Sequence, residues 1–172
     1  MLAIALGLIG APRARSDEVP SISVSSAAFA ETGIVPKRYT CEDADMSPPL
    51  AWSGVPAGTK TLALIAYDPD APSGVFTHWV VYNLPSGISM LPENLPRTPT
   101  LDSGGLQALN DFGHVGYNGP CPPPGPRHHY HFKMYALAIA LHLANGADAR
   151  SVGAAMHGHV LASGETVGWF KR

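Results

Sequence analysis

The sequence predicts a mainly β fold whose strands run antiparallel. Glycine and proline make up about a fifth of the 172 residues, with 18 and 17 copies, and both residue types disfavour long helices. Short apolar runs bounded by turn residues recur along the chain, as is typical of buried strands. These runs do not alternate with helical segments, which argues against a parallel α/β sheet. We therefore expect an antiparallel sandwich or a barrel-like sheet.

The strands are placed by apolar alternation and by the turn residues between them. A strand-like pattern begins at residues 22–24, and further strands are predicted at 61–67, 78–84, 130–137 and 165–170. Residues 84–110 are punctuated by proline and glycine. Because long loops without internal packing are uncommon, we expect this segment to wrap the surface as an ordered excursion.

One good helix candidate lies near the C-terminus. Asp148 is the expected N-cap, and the helix is predicted from Ala149 to about Leu161, before a Ser-Gly stop. His157 and His159 would lie on this helix, where we expect them to pack or to face solvent. The prediction thus adds one helix at the periphery of the sheet.

Composition predicts one compact domain over residues 17–172. Hydrophobic residues are 45% of the chain and charged residues 14%, a balance that excludes a disordered protein. The net charge of -2 argues against broad electrostatic binding of nucleic acid, which needs a basic excess. A chain of this length buries about two thirds of its unfolded surface. It therefore needs neither a metal nor a disulfide simply to fold.

Residues 1–16 resemble the end of a secretory signal. An apolar run from Leu2 to Ile9 is followed by the small-x-small pattern Ala14-Arg15-Ser16, which suits signal peptidase. The run is shorter than the ~20 apolar residues that span a bilayer, so no transmembrane segment is expected. The protein would be periplasmic or secreted if this segment is a cleaved signal. If the segment is only an N-terminal extension, the protein would be cytoplasmic.

The two cysteines, Cys41 and Cys121, are 80 positions apart. No C-x-x-C pair is present, so a thiolate zinc site is not expected. A disulfide between the two would close a long loop. Two free thiols are the alternative.

The first candidate for chemistry is Asp68-Pro-Asp-Ala-Pro72 followed by His78. Asp68 comes directly after a predicted buried strand, where two prolines turn the chain, so its carboxylate would point into a cleft at the strand ends. The ordinary alternative is that an aspartate next to proline accepts backbone N–H bonds within a turn. That alternative applies most strongly to Asp70.

The second candidate is the segment 116–126, in which rigid proline and permissive glycine alternate before His128. His128 and Tyr130 lie two residues apart on a predicted strand and therefore share one face, while His129 faces the other way. These two side chains would line one wall of a pocket. The alternative is that Tyr130 is a core aromatic and the histidines form a solvated strand edge.

Three kinds of chemistry are open to Asp68, His78, His128 and Tyr130. Imidazoles with loop N–H groups hold anions, histidine with aspartate acts as general acid and base, and two histidines with a carboxylate bind a divalent metal. The sequence contains no G-x-S-x-G, H-E-x-x-H, Walker or G-x-G-x-x-G motif. This weakens the hydrolase interpretation, and no cofactor is predicted.

The two candidate regions together resemble the signature regions of the phosphatidylethanolamine-binding protein family, in its bacterial Raf kinase inhibitor-like branch. The similarity rests on Asp68-Pro-Asp-Ala-Pro72, His78-Trp79, Gly116-Tyr-Asn-Gly-Pro120, Pro122-Pro123 and His128-x-Tyr130. It extends through 34–41, 47–52, 158–162 and 167–169, so it covers nearly all of the chain after Ser21.

The resemblance implies a β-sandwich with a few peripheral helices and a small pocket for anions and phospholipid head groups. It implies non-enzymatic binding of a phosphate-bearing or other anionic small ligand. A kinase is an implied protein partner, and a homodimer is a further expectation. The alternative is a His-dependent hydrolase, or an inhibitor of proteases or kinases that acts through surface loops. The implied ligand-binding residues are Asp68, Asp70, Pro72, His78, Gly119, Pro120, Pro122, His128 and Tyr130.

Overall fold

Two β-sheets make up the fold in the computed structural model, which describes residues 20–144 and 146–172. A 3-10 turn covers Lys37–Tyr39, and one α-helix, α1, covers Ala149–Met156. In chain order the strands are β1 (Ser23–Ser25), β2 (Gly33–Ile34), β3 (Leu50–Ser53), β4 (Thr61–Asp68), β5 (Phe76–Pro85), β6 (Met90–Leu91), β7 (Leu106–Gln107), β8 (His128–Leu137) and β9 (Val160–Phe170).

The strands form a six-stranded sheet in the order β2-β9-β8-β4-β5-β7 and a three-stranded sheet in the order β1-β3-β6. Every pair is antiparallel except β2 with β9, which run parallel. One buried apolar cluster joins side chains of both sheets, including Leu50 and Trp52 from the small sheet and Leu64 and Phe132 from the large one. The predicted mainly β sandwich is therefore confirmed.

β8 shows why the large sheet has a buried face. Tyr130, Phe132 and Met134 alternate toward the core and are at most 2% exposed. Lys133 and Tyr135 lie on the opposite face and are half-buried. Full burial of one large apolar side chain contributes about 1.5–3 kcal/mol, so this alternation fixes which face of the strand packs inward.

A second, smaller core lies on the outer face of the large sheet. Val152 and Met156 of α1 pack there with Val80 of β5 and Leu137 of β8. Asp148 is the N-cap as predicted, because its Oδ1 accepts the backbone N–H of Ser151 at 2.8 Å. The predicted helix near the C-terminus is confirmed and covers part of the sheet.

The predicted end of that helix is wrong. The helix stops at Met156 instead of Leu161, because Gly158 takes a φ of 78° in the left-handed region. The chain then enters β9 at Val160, which pairs with Leu137 of β8. His157 and His159 therefore lie beyond the helix, and both are exposed.

The excursion over residues 84–110 contributes a strand to each sheet. β6 pairs with β3, and β7 pairs with β5. Gln107 holds the segment in place, since its Oε1 accepts the indole N–H of Trp79 at 2.7 Å and its Nε2 donates to two carbonyls of the excursion. The long segment is thus an ordered part of the sandwich.

The predicted signal or extension, residues 1–16, lies outside the described residues. Within the described part of the chain, no helix combines the length and apolar character needed to cross a bilayer.

Candidate functional site

A cavity lies at the edge of the large sheet where three strand ends meet. β4 ends at Asp68, which pairs with Phe76 at the start of β5. The neighbouring β8 begins at His128, and its His131 pairs with Tyr67 of β4. Since antiparallel neighbours begin where their partners end, these termini and the proline loops beside them surround one cavity of about 320 Å³.

Most of the residues implied by the family resemblance line this cavity. They come from β4, β5, β8 and two loops that are separate in sequence. Those that line it are Asp68, Pro72, His78, Pro122, His128 and Tyr130.

Asp68 orients His128 from the end of β4. Its Oδ2 lies 2.8 Å from His128 Nδ1, and both side chains are buried. Its Oδ1 accepts the backbone N–H of Asp70 at 2.8 Å. The carboxylate therefore serves both as the turn acceptor and as the partner of an imidazole. Because Nδ1 of His128 is engaged, Nε2 is the nitrogen left for a ligand.

His78 is fixed by a backbone carbonyl. Its Nδ1 lies 2.8 Å from the carbonyl oxygen of Asn118, which only accepts, so Nδ1 carries the proton. Burial lowers the pKa of His78, against the opposing effects of this hydrogen bond and of the Asp68 charge. The ring is therefore neutral at pH 7, with an unshared electron pair on Nε2.

The Tyr130 hydroxyl is buried and has no hydrogen-bond partner among the described residues. Burial first, and then the charge of Asp68 and the approach of its carboxylate to the hydroxyl, raise the pKa of Tyr130 far above the ordinary value, so the group keeps its proton; this approach does not reach hydrogen-bond geometry. An unpaired buried donor costs about 1–3 kcal/mol. A hydroxyl left in this state in a cavity wall marks the place where a ligand acceptor would bind.

The rest of the wall was missed by the sequence interpretation. The rings of Phe76 and Phe112 lie 4.8 Å apart, and each is 5.4 Å from the His78 ring. Asn110 shapes the turn that presents Phe112, because its Oδ1 accepts the Phe112 N–H at 3.0 Å. Phe76 lies two residues before His78 on β5, a spacing that could have placed both on one face, whereas no spacing links Phe112 to the motifs. The remaining lining residues are Ala71, Ser73, Cys121 and Pro123.

Asp70 does not line the cavity, and its side chain pairs with His129 instead. Its Oδ2 accepts from the backbone N–H of His129 at 2.8 Å and lies 2.7 Å from His129 Nδ1. The hydrogen bond from the imidazole is the largest cause of a lowered pKa of Asp70. Its predicted contact with a ligand has no counterpart in the cavity lining.

Gly119 and Pro120 also lie behind the wall. The Gly119 N–H donates to Asp45 Oδ1 at 2.7 Å, and a Cβ at this position would clash with the Tyr39 carbonyl oxygen. The Pro120 carbonyl accepts the N–H of Cys41. Both residues therefore fix the path of the proline loop instead of lining the cavity.

A disulfide joins Cys41 to Cys121, with their Cα atoms 5.4 Å apart. Of the two alternatives left open by the sequence, the structure contains the bonded pair. Cys121 lines the cavity, so the bond ties one wall to the loop after the 3-10 turn.

Asp45 supports the site from behind and was not predicted. It accepts hydrogen bonds from the Gly119 N–H and from Asn118 Nδ2, and it forms an ion pair with Arg97. The Asn118 carbonyl in turn holds His78. Asp45 thus positions an imidazole that it does not touch.

A divalent-metal site built from two histidines and a carboxylate was one of the alternatives left open by the sequence. Across residues 20–144 and 146–172, no group of three or more His, Cys, Asp or Glu side chains is arranged to hold a metal ion.

Similarity to known proteins shows the family of this chain. A family model described as phosphatidylethanolamine-binding protein matches residues 25–171. The chain belongs to the phosphatidylethanolamine-binding protein family. A UPF0098 protein of Methanothermobacter thermautotrophicus is 47% identical over 151 residues, which are 88% of this chain and 99% of that relative.

Two crystal structures of family members share the fold. Escherichia coli YbcL, described as a member of the mammalian family, has a TM-score of 0.83 and 33% identity over 88% of this chain and 99% of its own. The homolog CT736 of Chlamydia trachomatis has a TM-score of 0.80 and 36% identity over 89% of this chain and 99% of its own.

Proposed function

We propose that this protein binds small ligands that carry a phosphate or a similar oxyanion group, without catalysing a reaction. The observation that carries the proposal is the buried, unpaired hydroxyl of Tyr130 beside two oriented imidazoles. These polar atoms converge on one cavity, as expected of a site that recognises a compact polar group. Membership of the phosphatidylethanolamine-binding protein family supports a ligand-binding role.

The size of the cavity sets the class of ligand. A volume of about 320 Å³ is at the small end of ligand pockets, which range over about 300–1,000 Å³. It accommodates a head group or a small phosphate ester, with the Phe76 and Phe112 rings beside the organic part. Acyl chains would have to stay outside.

A hydrolase is the second candidate, because Asp68 orients His128 as a carboxylate orients a general base. Such an enzyme needs a nucleophile or an activated water beside the imidazole. In the described ranges, no serine, threonine or cysteine is hydrogen-bonded to His78 or His128. Binding without turnover therefore has the better support.

The test is a titration of the purified protein with phosphoethanolamine, in which binding is measured by calorimetry and by NMR of the histidine rings. We expect the signals of His78 and His128 to shift at millimolar ligand. Tyr130→Phe should weaken binding about five- to tenfold, because one hydrogen bond is lost. Tyr135→Phe, on the opposite face of the same strand, is the matched control and should bind as the wild type does. Unchanged histidine signals would contradict the proposal.

A second measurement separates binding from hydrolysis. The protein is incubated with p-nitrophenyl phosphate and release of the phenol is followed against a buffer blank. We expect no release above the blank. Release that disappears in His128→Gln would establish the hydrolase instead.

A further inference from the structure

The cavity lacks the fixed positive charge that phosphate sites commonly have. Among the described residues 20–144 and 146–172, no lysine or arginine lines the cavity. Its ionisable groups are one carboxylate, Asp68, two imidazoles and the Tyr130 hydroxyl. A phosphomonoester dianion would therefore meet a buried carboxylate with no permanent cation in the lining to offset it.

His78 presents an acceptor to this cavity, not a donor. Its Nδ1 proton is committed to the Asn118 carbonyl, so the neutral ring offers only the electron pair of Nε2. A fully deprotonated phosphate oxygen also only accepts. The two cannot form a hydrogen bond unless one proton is placed between them.

None of the groups that face His78 is a permanently charged cation that could donate this proton. Asp68 on β4 faces it, and β8 contributes His128 and Tyr130. From the loop before Asn118, the Asp111 carboxylate accepts the backbone N–H of Thr77.

The second layer around His78 is also balanced in charge. His114 contacts the Asn118 side chain at 3.2 Å. Asp45 and Arg97, behind Asn118, are paired with each other. The arginine is thus engaged by a carboxylate outside the cavity and does not belong to its lining.

We infer that the cavity selects phosphomonoesters in their singly protonated form, with one proton shared between His78 Nε2 and a ligand oxygen. The inference rests on the proposed function and adds the protonation state and ester class of the ligand. Tyr130 donates its free hydroxyl to a second ligand oxygen. The proton count is the same whether the shared proton stays nearer to nitrogen or to oxygen: binding of the dianion takes up one proton.

The same geometry discriminates between a free metabolite and a lipid head group. An oxygen of a monoester can itself carry the shared proton, since the second pKa of a monoester is about 6. A phosphodiester, as in a phospholipid head group, has no such proton and requires protonation of the buried His78. Burial lowers the pKa of His78 and so opposes that step. The monoester is therefore the preferred ligand.

The experiment is calorimetry at pH 6, 7 and 8 in two buffers that differ in ionisation enthalpy, which gives the number of protons taken up. The probes are phosphoethanolamine, glycerophosphoethanolamine and sulfate. The first two carry the same ammonium group and differ in the ester class. Sulfate is a tetrahedral dianion that carries no proton at neutral pH.

We expect phosphoethanolamine to bind with uptake of about one proton at pH 8, and its affinity to fall about tenfold from pH 7 to pH 8. At pH 7 the diester and sulfate should bind about tenfold more weakly or worse, because the Nε2 acceptor is left unpaired. His78→Gln should abolish the proton uptake. His157→Gln, at an exposed histidine away from the cavity, is the matched control and should retain it.

The outcomes separate the inference from the proposed function. Phosphoethanolamine binding without proton uptake, or a diester that binds as tightly, overturns the inference and leaves the proposed function standing. Proton uptake that persists in His78→Gln also overturns it, because the proton then resides elsewhere. If no probe binds at any pH, the proposed function itself fails. Should His78→Gln not fold, the ¹⁵N signal of His78 Nε2 in the wild type decides: no shift on binding contradicts the inference.

Discussion

Asp68 and Asp70 are two residues apart, yet they bind histidines in opposite surroundings. Asp68 and His128 are buried, with side chains 4% and 6% exposed, whereas Asp70 and His129 are 42% and 39% exposed. The two nitrogen–oxygen distances are almost the same, 2.8 and 2.7 Å. Solvent screens the exposed pair, so equal geometry does not mean equal energy.

The first prediction compares these two aspartates at pH 7. Asp68→Asn should lower the free energy of unfolding by about 2–3 kcal/mol, because a buried charge-assisted hydrogen bond is lost. Asp70→Asn should cost less than about 1 kcal/mol, as is usual for an exposed pair. Urea unfolding of both variants measures the difference. Equal losses would contradict the burial argument.

The second prediction concerns acid. Because the pKa of Asp70 is lower in the folded protein than the ordinary value of about 3.9, its interaction with His129 stabilises the folded state above that pH. The contribution is lost as the pH falls from there toward the lowered value. Unfolding measured from pH 5 to pH 2 should show a slightly shallower loss of stability in Asp70→Asn than in the wild type. A steeper loss in the variant would contradict the sign.

At the scale of elements, the proline-rich loop of residues 116–126 keeps its path because Gly119 is enclosed by neighbouring backbone. Gly119 lies against the 3-10 turn and the residues after it, with no room for a side chain. Gly153 in α1 is the opposite case, since nothing lies within 4 Å of where its Cβ would be. A side chain at position 119 is therefore excluded by steric clash, whereas at position 153 only the low helix propensity of glycine matters.

The third prediction uses this contrast. Gly119→Ala should destabilise the protein by about 2 kcal/mol or more, since backbone atoms must move, and should weaken ligand binding through the displaced Asn118 carbonyl. Gly153→Ala should stabilise it by about 0.5–1 kcal/mol, because alanine is the better helix former. Thermal unfolding tests both signs. A harmless Gly119→Ala would show that the loop is not held by the 3-10 turn.

Local signals predicted five of the nine strands that the structure describes, β1, β4, β5, β8 and β9, but not all of their boundaries. The short strands β2, β3, β6 and β7 were not predicted. The apolar run that ends in Asp68-Pro placed β4 to within one residue, and alternation placed the end of β8 at Leu137 but its start two residues late. The helix end failed because residues 160–162 suit a helix as well as a strand, and the choice depends on pairing with β8. Gly158 was the local signal that marked the true end.

The site was predictable only where its residues lie in motifs at strand ends. Asp68, His78, His128 and Tyr130 meet in the cavity as the motifs indicated. Asp45 was missed because it reaches Asn118 and Gly119 across 73 and 74 residues, and no local pattern encodes such a contact. Ligand binding by the implied residues, a kinase partner, a homodimer and export of the protein all stay predictions.

At the scale of the whole molecule, the Cys41–Cys121 bond encloses five strands, β3 to β7, between its ends. Closing a loop of 80 residues restricts the unfolded chain more than the folded one. In the chain-entropy account, the bond is worth about 4.5 kcal/mol at this loop length. Most of that effect belongs to the unfolded state.

The fourth prediction follows from this loop. Reduction should lower the free energy of unfolding by roughly 2–4 kcal/mol and weaken ligand binding, since Cys121 lines the cavity. Urea unfolding and phosphoethanolamine titration with and without dithiothreitol measure both effects. A Cys41→Ala, Cys121→Ala double variant is the control and should not respond to the reductant. A wild type that ignores reduction would contradict the stabilising role.

The position of β9 has a consequence for biosynthesis. Among the described residues β9, Val160–Phe170, is the last strand, and it lies between β8 and β2, so the large sheet has a gap until residues 160–170 are available. A nascent chain that has not yet released residues 160–170 from the ribosome lacks that strand, and until then β2 has no partner in the sheet. The sandwich therefore completes its fold only after β9 has left the ribosome, and a premature stop before residue 160 leaves two unpaired edges open to aggregation.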